Sequence, residues 1–310
     1  MHFLLVGPGA LGCLLSAVIA KGLAAGDRLT ILDHHKERAG RLCRDGIDYH
    51  LEEQPRHVPV TAVADPHSIE PVDVVLLCVK SYDVVDSLEF CRPVLSDKTL
   101  LVFMQNGIGH LELQAHLHQA TAAFGTTTEG ATLLRAGQVR HAGSGVTSLG
   151  FLNEPDPRAA DLLQKTGEVL SAGGLRVQLT GDILARLWAK LFVNAGINAL
   201  TAILGCHNGE LLTLPGIDRR MEAAVCEAMQ VAARKNIPII DEPYQATRLV
   251  CKRTAKNVSS MLQDVKNRRR TEIDAINGAI VALGEAFGIE TPENSLLCKQ
   301  VKELETGYVR

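Results

Sequence analysis

A polar stripe runs along one face of an otherwise apolar predicted helix in the second half of the sequence. Lys190, Asn194 and Asn198 follow one another at four-residue intervals, with Phe192 and Ile197 among the apolar residues between them. This spacing keeps the three side chains on one helix face, with a drift of about 40° per step. Because burying an unpaired ammonium or amide costs free energy, the stripe must face water or polar partners. A substrate cleft and an exposed outer surface both meet that requirement.

A second polar group, formed by Asn257, Ser259, Ser260 and Glu272, lies further along the chain. Ser260 and Glu272 are twelve residues apart, which on one straight helix is a rotation of about 120°. If both side chains face one cleft, the chain must kink or break between them.

A glycine turn near the amino terminus points to a nucleotide. The segment Gly7-Pro8-Gly9-Ala10-Leu11-Gly12 follows an apolar run and opens a predicted helix, the context in which this spacing binds dinucleotides. Gly7 permits the tight turn, Gly9 lets the backbone approach a pyrophosphate, and Gly12 lets helix and strand pack closely. The anion is then held by backbone N–H groups at the positive end of the helix.

The type of nicotinamide dinucleotide stays open at this level. Asp33 ends the second predicted strand, where an acidic residue accepts hydrogen bonds from the ribose hydroxyls of NAD. His34, His35, Lys36 and Arg38 follow immediately and offer cations to the 2′-phosphate of NADP.

Two further polar residues follow predicted strands: Lys80, and Asn106 in Gln105-Asn106-Gly107. Open α/β sheets bind ligands at the carboxyl ends of their strands, so both are candidates for the site. A capping or plain surface role is the alternative for each.

Four compact apolar runs in the first half are predicted strands: His2 to Val6, Leu29 to Leu32, Asp73 to Val79 and Thr99 to Met104. Helical stretches alternate with them, and runs that are apolar on both faces are typical of a parallel sheet covered by helices on each side. The pattern predicts an α/β fold with a Rossmann-like, doubly wound sheet.

Shorter runs separated by glycine-containing turns follow from about residue 120: Ala122 to Thr126, Ala131 to Leu134, Gln138 to His141 and Val146 to Phe151. We expect short antiparallel strands that extend the sheet. A helix over about 157–172 and a strand from Leu175 to Leu179 would complete this domain.

Helical periodicity dominates beyond Gly181, over roughly 182–204, 215–236, 243–266, 269–287 and 293–305. We therefore predict a dinucleotide-binding domain over residues 1–180 and an all-helical substrate-binding domain over residues 181–310.

Composition narrows the function classes. The formal net charge is −3 and Arg268 to Arg270 form the one basic cluster, so a nucleic-acid partner is not expected. The eight cysteines include no Cys-x-x-Cys pair, which fits free thiols in a reducing compartment. Residues 1–25 lack a basic start and contain a glycine turn, and no run approaches the roughly 18 apolar residues of a membrane span. We expect a cytoplasmic chain without a membrane partner, whose apolar helix faces leave room for a homodimer.

Together these motifs resemble the ketopantoate reductase (2-dehydropantoate 2-reductase) family over nearly the whole chain. The most specific part is the Lys190-x-x-x-Asn194-x-x-x-Asn198 helix followed by Ser259-Ser260-Met-Leu-Gln-Asp and Thr271-Glu272-Ile-Asp. The resemblance implies NADPH-dependent reduction of the C2 ketone of ketopantoate to D-pantoate, a step towards pantothenate and coenzyme A.

The resemblance also implies the roles of individual residues. Lys190 is the general acid and Glu272 assists the substrate and the lysine. Substrate is held by Asn106, Asn194, Asn198 and Ser260, with Asn257 near the site, while Lys80 and Asn106 lie at the cofactor. An ammonium suits this task, because negative charge grows on the ketone oxygen as hydride reaches the carbon. No metal is needed.

The second strand departs from the family pattern. Many members carry an arginine there for the 2′-phosphate, whereas this chain reads Leu32-Asp33-His34-His35-Lys36. We rank NADP ahead of NAD without excluding NAD.

Three other functions remain to be weighed. A relative acting on another 2-keto acid is compatible with every motif. The segments around Ser260 and Glu272 argue against a 3-hydroxyacid dehydrogenase. The presence of both Lys190 and Glu272 argues against a non-catalytic nucleotide sensor.

Overall fold

The computed structural model describes residues 1–51, 54–117 and 120–309. The chain divides into two compact units. Unit 1 comprises Met1–Gln105 and His110–Ile183, and unit 2 comprises Asn106–Gly109 and Leu184–Arg310.

Unit 1 contains all the described strands. In chain order they are β1 (His2–Val6), β2 (Arg28–Leu32), β3 (Ile47–Leu51), β4 (Gln54–Val58), β5 (Thr61–Val63), β6 (Val74–Leu77), β7 (Thr99–Phe103), β8 (Ala120–Thr127), β9 (Gly130–Arg135), β10 (Gln138–Gly143), β11 (Thr147–Gly150) and β12 (Val177–Leu179). Four helices accompany them: α1 (Ala10–Gly22), α2 (Lys36–Asp45), α3 (Val84–Cys91) and α4 (Pro157–Ala172).

The main sheet has eight strands in the order β12-β11-β8-β7-β6-β1-β2-β5. The six strands from β5 to β8 are parallel, and β11 runs antiparallel to β8. The chain builds outward from β1 in both directions, so the order reverses between β1 and β6, which is where such sheets bind ligands. Val6 lies opposite both Leu32 and Leu77, so β1, β2 and β6 end at one edge.

The predicted doubly wound sheet is confirmed. Every residue of β1, β6 and β7 is buried, because these strands are apolar on both faces. On one side α1 buries its residues from Gly12 to Ile19, and its side chains join those of α4 in a single core cluster.

The prediction that the strands after residue 120 all extend this sheet is wrong for two of them. β8 and β11 do extend it, whereas β9 and β10 join β3 and β4 in a separate four-stranded sheet of order β4-β3-β10-β9. Tyr49 and Val139 alternate with polar neighbours along their strands, and both are buried on one face of this sheet. The alternation predicts strands but does not identify their partners, and β3, β4 and β5 are strands that were not predicted from the sequence.

Unit 2 is helical, as predicted. Its helices are α5 (Ile183–Leu204, which begins one residue before the unit), α6 (Ile217–Arg234), α7 (Pro243–Arg253), α8 (Ser260–Lys266), α9 (Asn277–Phe287) and α10 (Pro292–Glu305). The prediction of one continuous helix over 243–266 is wrong, because the helix ends at Arg253 and a second helix begins at Ser260. Ser259 starts α8, and its hydroxyl accepts a hydrogen bond from the N–H of Leu262 at 3.1 Å.

The helix predicted over 269–287 begins later than expected, at Asn277, after a short 3₁₀ turn over Ile273–Ala275. The helix therefore ends between Ser260 and Glu272. Such a break is what the sequence requires if both side chains face one cleft. Arg268, with a φ of 53°, lies within this interruption.

Helix α5 is the central element of unit 2. It is long and apolar enough to cross a membrane, but 67% of its most apolar 18-residue stretch is buried inside the protein, as in a core helix. Buried polar side chains fix its surroundings: the Asn277 amide donates to the carbonyl of Ala195 at 3.2 Å and to Oδ1 of Asn294 at 2.9 Å. Glu227 in turn accepts from the backbone N–H of Asn294 at 2.9 Å.

Candidate active site

The glycine turn of unit 1 depends on two positions that tolerate no side chain. Gly7 has a φ of +90°, and a Cβ there would lie 2.5 Å from Cγ1 of Val79 and 2.9 Å from its backbone nitrogen. A Cβ on Gly12 would lie 2.1 Å from the carbonyl oxygen of Gly7. Glycine is therefore required for the turn and for the approach of α1 to it.

Gly9 differs, because a Cβ there would meet no protein atom within 4 Å. Gly9 precedes α1, whose start has no side-chain cap and no acidic residue in its first turn. Open space in front of first-turn N–H groups is the arrangement that receives an anionic pyrophosphate. The residues from Gly7 to Gly12 thus fit the nucleotide that the sequence predicts.

Asp33 follows β2 at the same edge of the sheet, but its carboxylate is turned inwards. The side chain is fully buried and pairs with the guanidinium of Arg38 through both oxygens. Oδ1 also accepts the backbone N–H of His35 at 3.0 Å. The carboxylate is therefore engaged within the protein.

Lys80 follows β6 and precedes a short 3₁₀ turn over Ser81–Asp83. Nearby, the side-chain amide of Gln105 donates to the carbonyl of Leu77 at 2.8 Å and to that of Val79 at 3.3 Å. Gln105 therefore fixes the carboxyl end of β6 beside the glycine turn. In the sequence Gln105 stands out only as part of the motif Gln105-Asn106-Gly107, since its partners are backbone atoms that spacing does not reveal.

Asn106 belongs to unit 2, where its side-chain amide donates to Oε2 of Glu272 at 3.0 Å. Glu272 is 5% exposed. The neighbouring Gly107 makes the approach possible, because it has a φ of +79° and a Cβ there would lie 2.0 Å from the carbonyl oxygen of Ala275. Two distant segments of the sequence thus meet backbone to backbone.

Lys190 on α5 is, with Glu272, the second charged group of a polar cluster formed by Asn106, Glu272 and Lys190. Burial lowers the pKa of the Lys190 ammonium to about 8, although the negative charge of Glu272 acts in the opposite direction. A lysine with a pKa near neutrality can both donate a proton and be reprotonated at physiological pH.

The remaining residues of the predicted substrate site differ in exposure. Asn198 is 5% exposed and Asn194 is half-buried on the same helix. Ser260 and Asn257 are exposed. The structure brings together Lys190, Glu272 and Asn106, and within the described part of the chain no hydrogen bond links the side chains of Asn257 or Ser260 to these three residues.

One positioning contact could not be found from motif spacing. The hydroxyls of Thr201 and Ser259 lie 2.7 Å apart, and both side chains are buried. This contact ties the start of α8, and with it Ser260, to α5. The signal available in the sequence is only that Thr201 lies three residues after Asn198, close to the polar stripe.

The cluster of unit 2 can bind a small anionic carbonyl compound. The ammonium of Lys190 can donate to a carbonyl oxygen and stabilise negative charge that develops there. Amides of Asn106, Asn194 and Asn198 can bind carboxylate and hydroxyl groups without adding charge. Glu272 can hold the ammonium and accept from a substrate hydroxyl.

Comparison with known proteins gives a match over both units. The family model "Ketopantoate reductase PanE/ApbA" matches residues 3–154, and the model of that family's C-terminal part matches residues 182–305. The 2-dehydropantoate 2-reductase of Halobacterium salinarum is 34% identical to this chain, over 94% of the chain and 95% of that protein. The Vibrio cholerae protein of the same name is 33% identical over 99% of each.

Solved structures agree with this match. A PanE/ApbA family ketopantoate reductase from Ralstonia eutropha superposes with a TM-score of 0.90 at 27% identity, covering 100% of both chains. D-mandelate dehydrogenase in complex with NADH and anilino(oxo)acetate superposes with a TM-score of 0.91 at 25% identity, covering 99% of both chains.

Proposed function

This chain belongs to the ketopantoate reductase family, and on that premise we propose that it reduces ketopantoate to D-pantoate with a nicotinamide dinucleotide. The observation that carries the proposal is the partly buried Asn106–Glu272 hydrogen bond, whose carboxylate also acts on Lys190, a lysine of lowered pKa. The product is a precursor of pantothenate and coenzyme A.

A bound nicotinamide dinucleotide would supply hydride to the ketone carbon of the substrate. Residues Gly7, Pro8, Gly9, Ala10, Leu11 and Gly12 would hold its pyrophosphate, with the backbone N–H groups of Ala10, Leu11 and Gly12 in the first turn of α1 as the donors, and Lys80 and Asn106 lie at the cofactor in this proposal. Their task is to fix the nucleotide, since hydride transfer depends on orientation.

Lys190 provides the proton. Its ammonium donates a hydrogen bond to the ketone oxygen, stabilises the negative charge that grows there, and then transfers a proton to form the hydroxyl of the product. Glu272 keeps the ammonium charged and orients it, because its carboxylate raises the pKa that burial lowers.

The polar side chains around Lys190 orient the substrate. Asn106, Asn194 and Asn198 bind its carboxylate and hydroxyl groups, with Ser260 and Asn257 contributing from the segment that precedes and begins α8. Ser260 and Asn257 are exposed in this structure, so their contribution requires that substrate reach them.

Another 2-keto acid is the second candidate substrate. The observation that favours it is the similarity to a D-mandelate dehydrogenase, whose keto acid carries a phenyl group. A few apolar contacts in a pocket distinguish such side chains by only about 1 to 3 kcal/mol, so motifs shared by the whole family leave the choice to experiment.

Steady-state oxidation of NADPH and of NADH by the purified protein tests the proposal, with ketopantoate and with phenylglyoxylate as substrates. Efficient turnover of ketopantoate that disappears in Lys190→Ala supports it. Turnover of phenylglyoxylate alone would keep the mechanism and change the substrate, while inactivity on every 2-keto acid with either nucleotide would contradict the proposed function.

We also propose a cytoplasmic location and leave a homodimer open to test. The eight cysteines are free, which suits a reducing compartment. Size-exclusion chromatography with light scattering gives the oligomeric state directly.

A further inference from the structure

A side chain of the last helix holds the irregular segment that carries Glu272. Residues 267–272 join α8 to the 3₁₀ turn before α9 and belong to no helix or strand. Thr271 is 2% exposed, and a buried backbone N–H without a partner costs free energy. Its N–H donates to Oε1 of Glu305 at 2.6 Å. Glu305 on α10 therefore supplies the partner that regular secondary structure does not.

Glu305 continues the buried face of α10. Leu297, Val301 and Glu305 follow one another at four-residue intervals, which places them on one side of the helix. Leu297 and Val301 are fully buried, and Glu305 is partly buried. The same helix packs against α6 and α9. The Glu305 carboxylate is thus presented to Thr271 from a helix that is itself fixed in unit 2.

The surroundings of the Glu305 carboxylate are otherwise unfavourable. Glu305 is the last residue of α10, at the negative end of the helix dipole, where cations rather than anions are stabilised. A second carboxylate lies nearby, since burial and the negative charges of Glu305 and Asp264 together raise the pKa of the Tyr308 phenol. The charge-assisted hydrogen bond from Thr271, roughly twice as strong as a neutral one, stabilises the carboxylate in this position.

A second contact joins α10 to the same segment. Lys302 pairs with Asp274 at 2.6 Å, so α10 contacts the chain on both sides of Glu272. The side chains of Lys302 and Asp274 are 54% and 52% exposed, and an ion pair so open to water contributes little. The partly buried bond between Glu305 and Thr271 is therefore the stronger of the two tethers.

The tether acts on the backbone directly before Glu272. On the other side, the carbonyl of Glu272 accepts the N–H groups of Ala275 at 3.1 Å and of Ile276 at 3.2 Å. Glu272 is thus held from both directions, by α10 at the preceding residue and by the 3₁₀ turn at the following ones. A shift at Thr271 would redirect the Glu272 side chain, whose carboxylate accepts from the Asn106 amide.

We propose that Glu305 is a positioning residue for the carboxylate of Glu272. By accepting the backbone N–H of Thr271, it fixes the direction from which the Glu272 side chain reaches Asn106 and acts on Lys190. The inference rests on the proposed function, because it concerns the charge that assists the proposed general acid. It extends the functional unit to the carboxyl-terminal helix, which carries none of the three residues of that cluster.

Variants at Glu305 separate reach from charge. Glu305→Asp keeps the negative charge but withdraws the acceptor by one methylene, whereas Glu305→Gln keeps an acceptor oxygen at the same reach and removes the charge. We expect Glu305→Asp and Glu305→Ala to lower kcat/KM for ketopantoate about tenfold, within the roughly hundredfold loss that a displacement of about 1 Å can cause. Glu305→Gln is expected to retain most of the activity. Glu303→Ala is the matched control, because it removes an exposed carboxylate from the same turn of α10.

The alkaline limb of the pH profile of kcat/KM distinguishes positioning from a general loss of stability. Glu272 raises the pKa of Lys190, so a displaced carboxylate should raise it less and move the limb to lower pH. Glu305→Asp should therefore shift the limb, and Glu305→Gln should not. In a Glu272→Gln background the shift should disappear, because no carboxylate charge is left to position. A limb that shifts in Glu305→Gln but not in Glu305→Asp would show that the charge of Glu305 acts, and would overturn the positioning role.

Amide hydrogen exchange follows the contact without turnover. Exchange over residues 267–272 should be faster in Glu305→Asp than in wild type or Glu305→Gln, while exchange over α6 stays unchanged. Equal exchange over 267–272 in all three proteins would overturn the inference. A wild type that reduces no 2-keto acid with either nucleotide would contradict the proposed function itself, whereas an active wild type whose Glu305 variants all match it in kcat/KM would overturn this inference alone.

Discussion

The side-chain amide of Asn106 donates a hydrogen bond of 3.0 Å to the carboxylate of Glu272, although 166 residues separate them in the chain. The carboxylate also acts on the ammonium of Lys190, whose pKa it raises against the effect of burial. One buried carboxylate thus connects the amide proposed to bind substrate to the proposed general acid.

Replacing Lys190 with Ala should abolish reduction while sparing nucleotide binding. Loss of general-acid catalysis typically lowers turnover by about 10² to 10⁴-fold. The measurement is kcat with ketopantoate, accompanied by a calorimetric titration with NADPH. Lys266→Ala removes the same charge from an exposed position on α8 and serves as control. Unchanged turnover in Lys190→Ala would contradict the proposed role of Lys190 as the general acid.

Reduction should depend on pH through the pKa of Lys190. The ammonium donates the proton, so activity requires the protonated form, which prevails below the pKa of about 8. We expect kcat/KM for reduction to be level below this pH and to fall as pH rises through it.

Replacing Glu272 with Gln should shift that pH profile. Glu272 raises the pKa of Lys190, so removing its negative charge should lower that pKa and move the alkaline limb to lower pH. The profiles of wild type and Glu272→Gln, recorded side by side, test this. A limb that moves to higher pH would contradict the electrostatic role given to Glu272.

Gly107→Ala should impair catalysis from a position with no functional group. The new Cβ would lie 2.0 Å from the Ala275 carbonyl oxygen at a φ of +79°, so the segment must shift and carry Asn106 away from Glu272. We expect a higher KM for ketopantoate and a lower kcat. Gly109→Ala is the control, because its Cβ would meet nothing within 4 Å and its φ is not positive.

The glycine turn offers a matched pair of variants. Gly12→Ala forces a Cβ against the Gly7 carbonyl and should lower the free energy of unfolding by roughly 1 to 3 kcal/mol. Gly9→Ala fills open space and should leave the melting temperature unchanged while weakening nucleotide binding. If Gly9→Ala binds NADPH as tightly as wild type, the pyrophosphate does not lie against Gly9.

Much of the fold could be predicted because the governing patterns are local. The central strands are apolar on both faces, and the helices of unit 2 repeat with helical periodicity. Strand pairing is not always local: β10 has a strand-like sequence and pairs with its neighbour β9, yet its other partner β3 lies about 90 residues away in the chain, as the Asp48–Gln138 pairing shows. The boundaries around α8 depend on a capping hydroxyl, which overrides an apparently continuous helical pattern.

The candidate site was predictable in its residue types and less so in its electrostatics. The spacing of Lys190, Asn194 and Asn198 placed them on one helix face, but the lowered pKa of Lys190 follows from burial that only the folded chain defines. Asp33 shows the opposite case. Its position predicts a ligand contact, and the structure adds a burial and a pairing with Arg38, five residues further on, that the sequence position does not reveal.

The tetrapeptide Asn106–Gly109 clusters with unit 2 although it is embedded in the sequence of unit 1. Modular exchange between relatives must respect this arrangement. A chimera joined at the start of α5 would pair the Glu272 of one parent with the Asn106 and Gly107 of the other, so those residues must be transplanted together with the helical half. A fragment that begins at α5 would likewise contain Glu272 without Asn106, the amide donor to its carboxylate. The interior segment Asn106–Gly109 must therefore accompany the helical unit in any fragment or exchange.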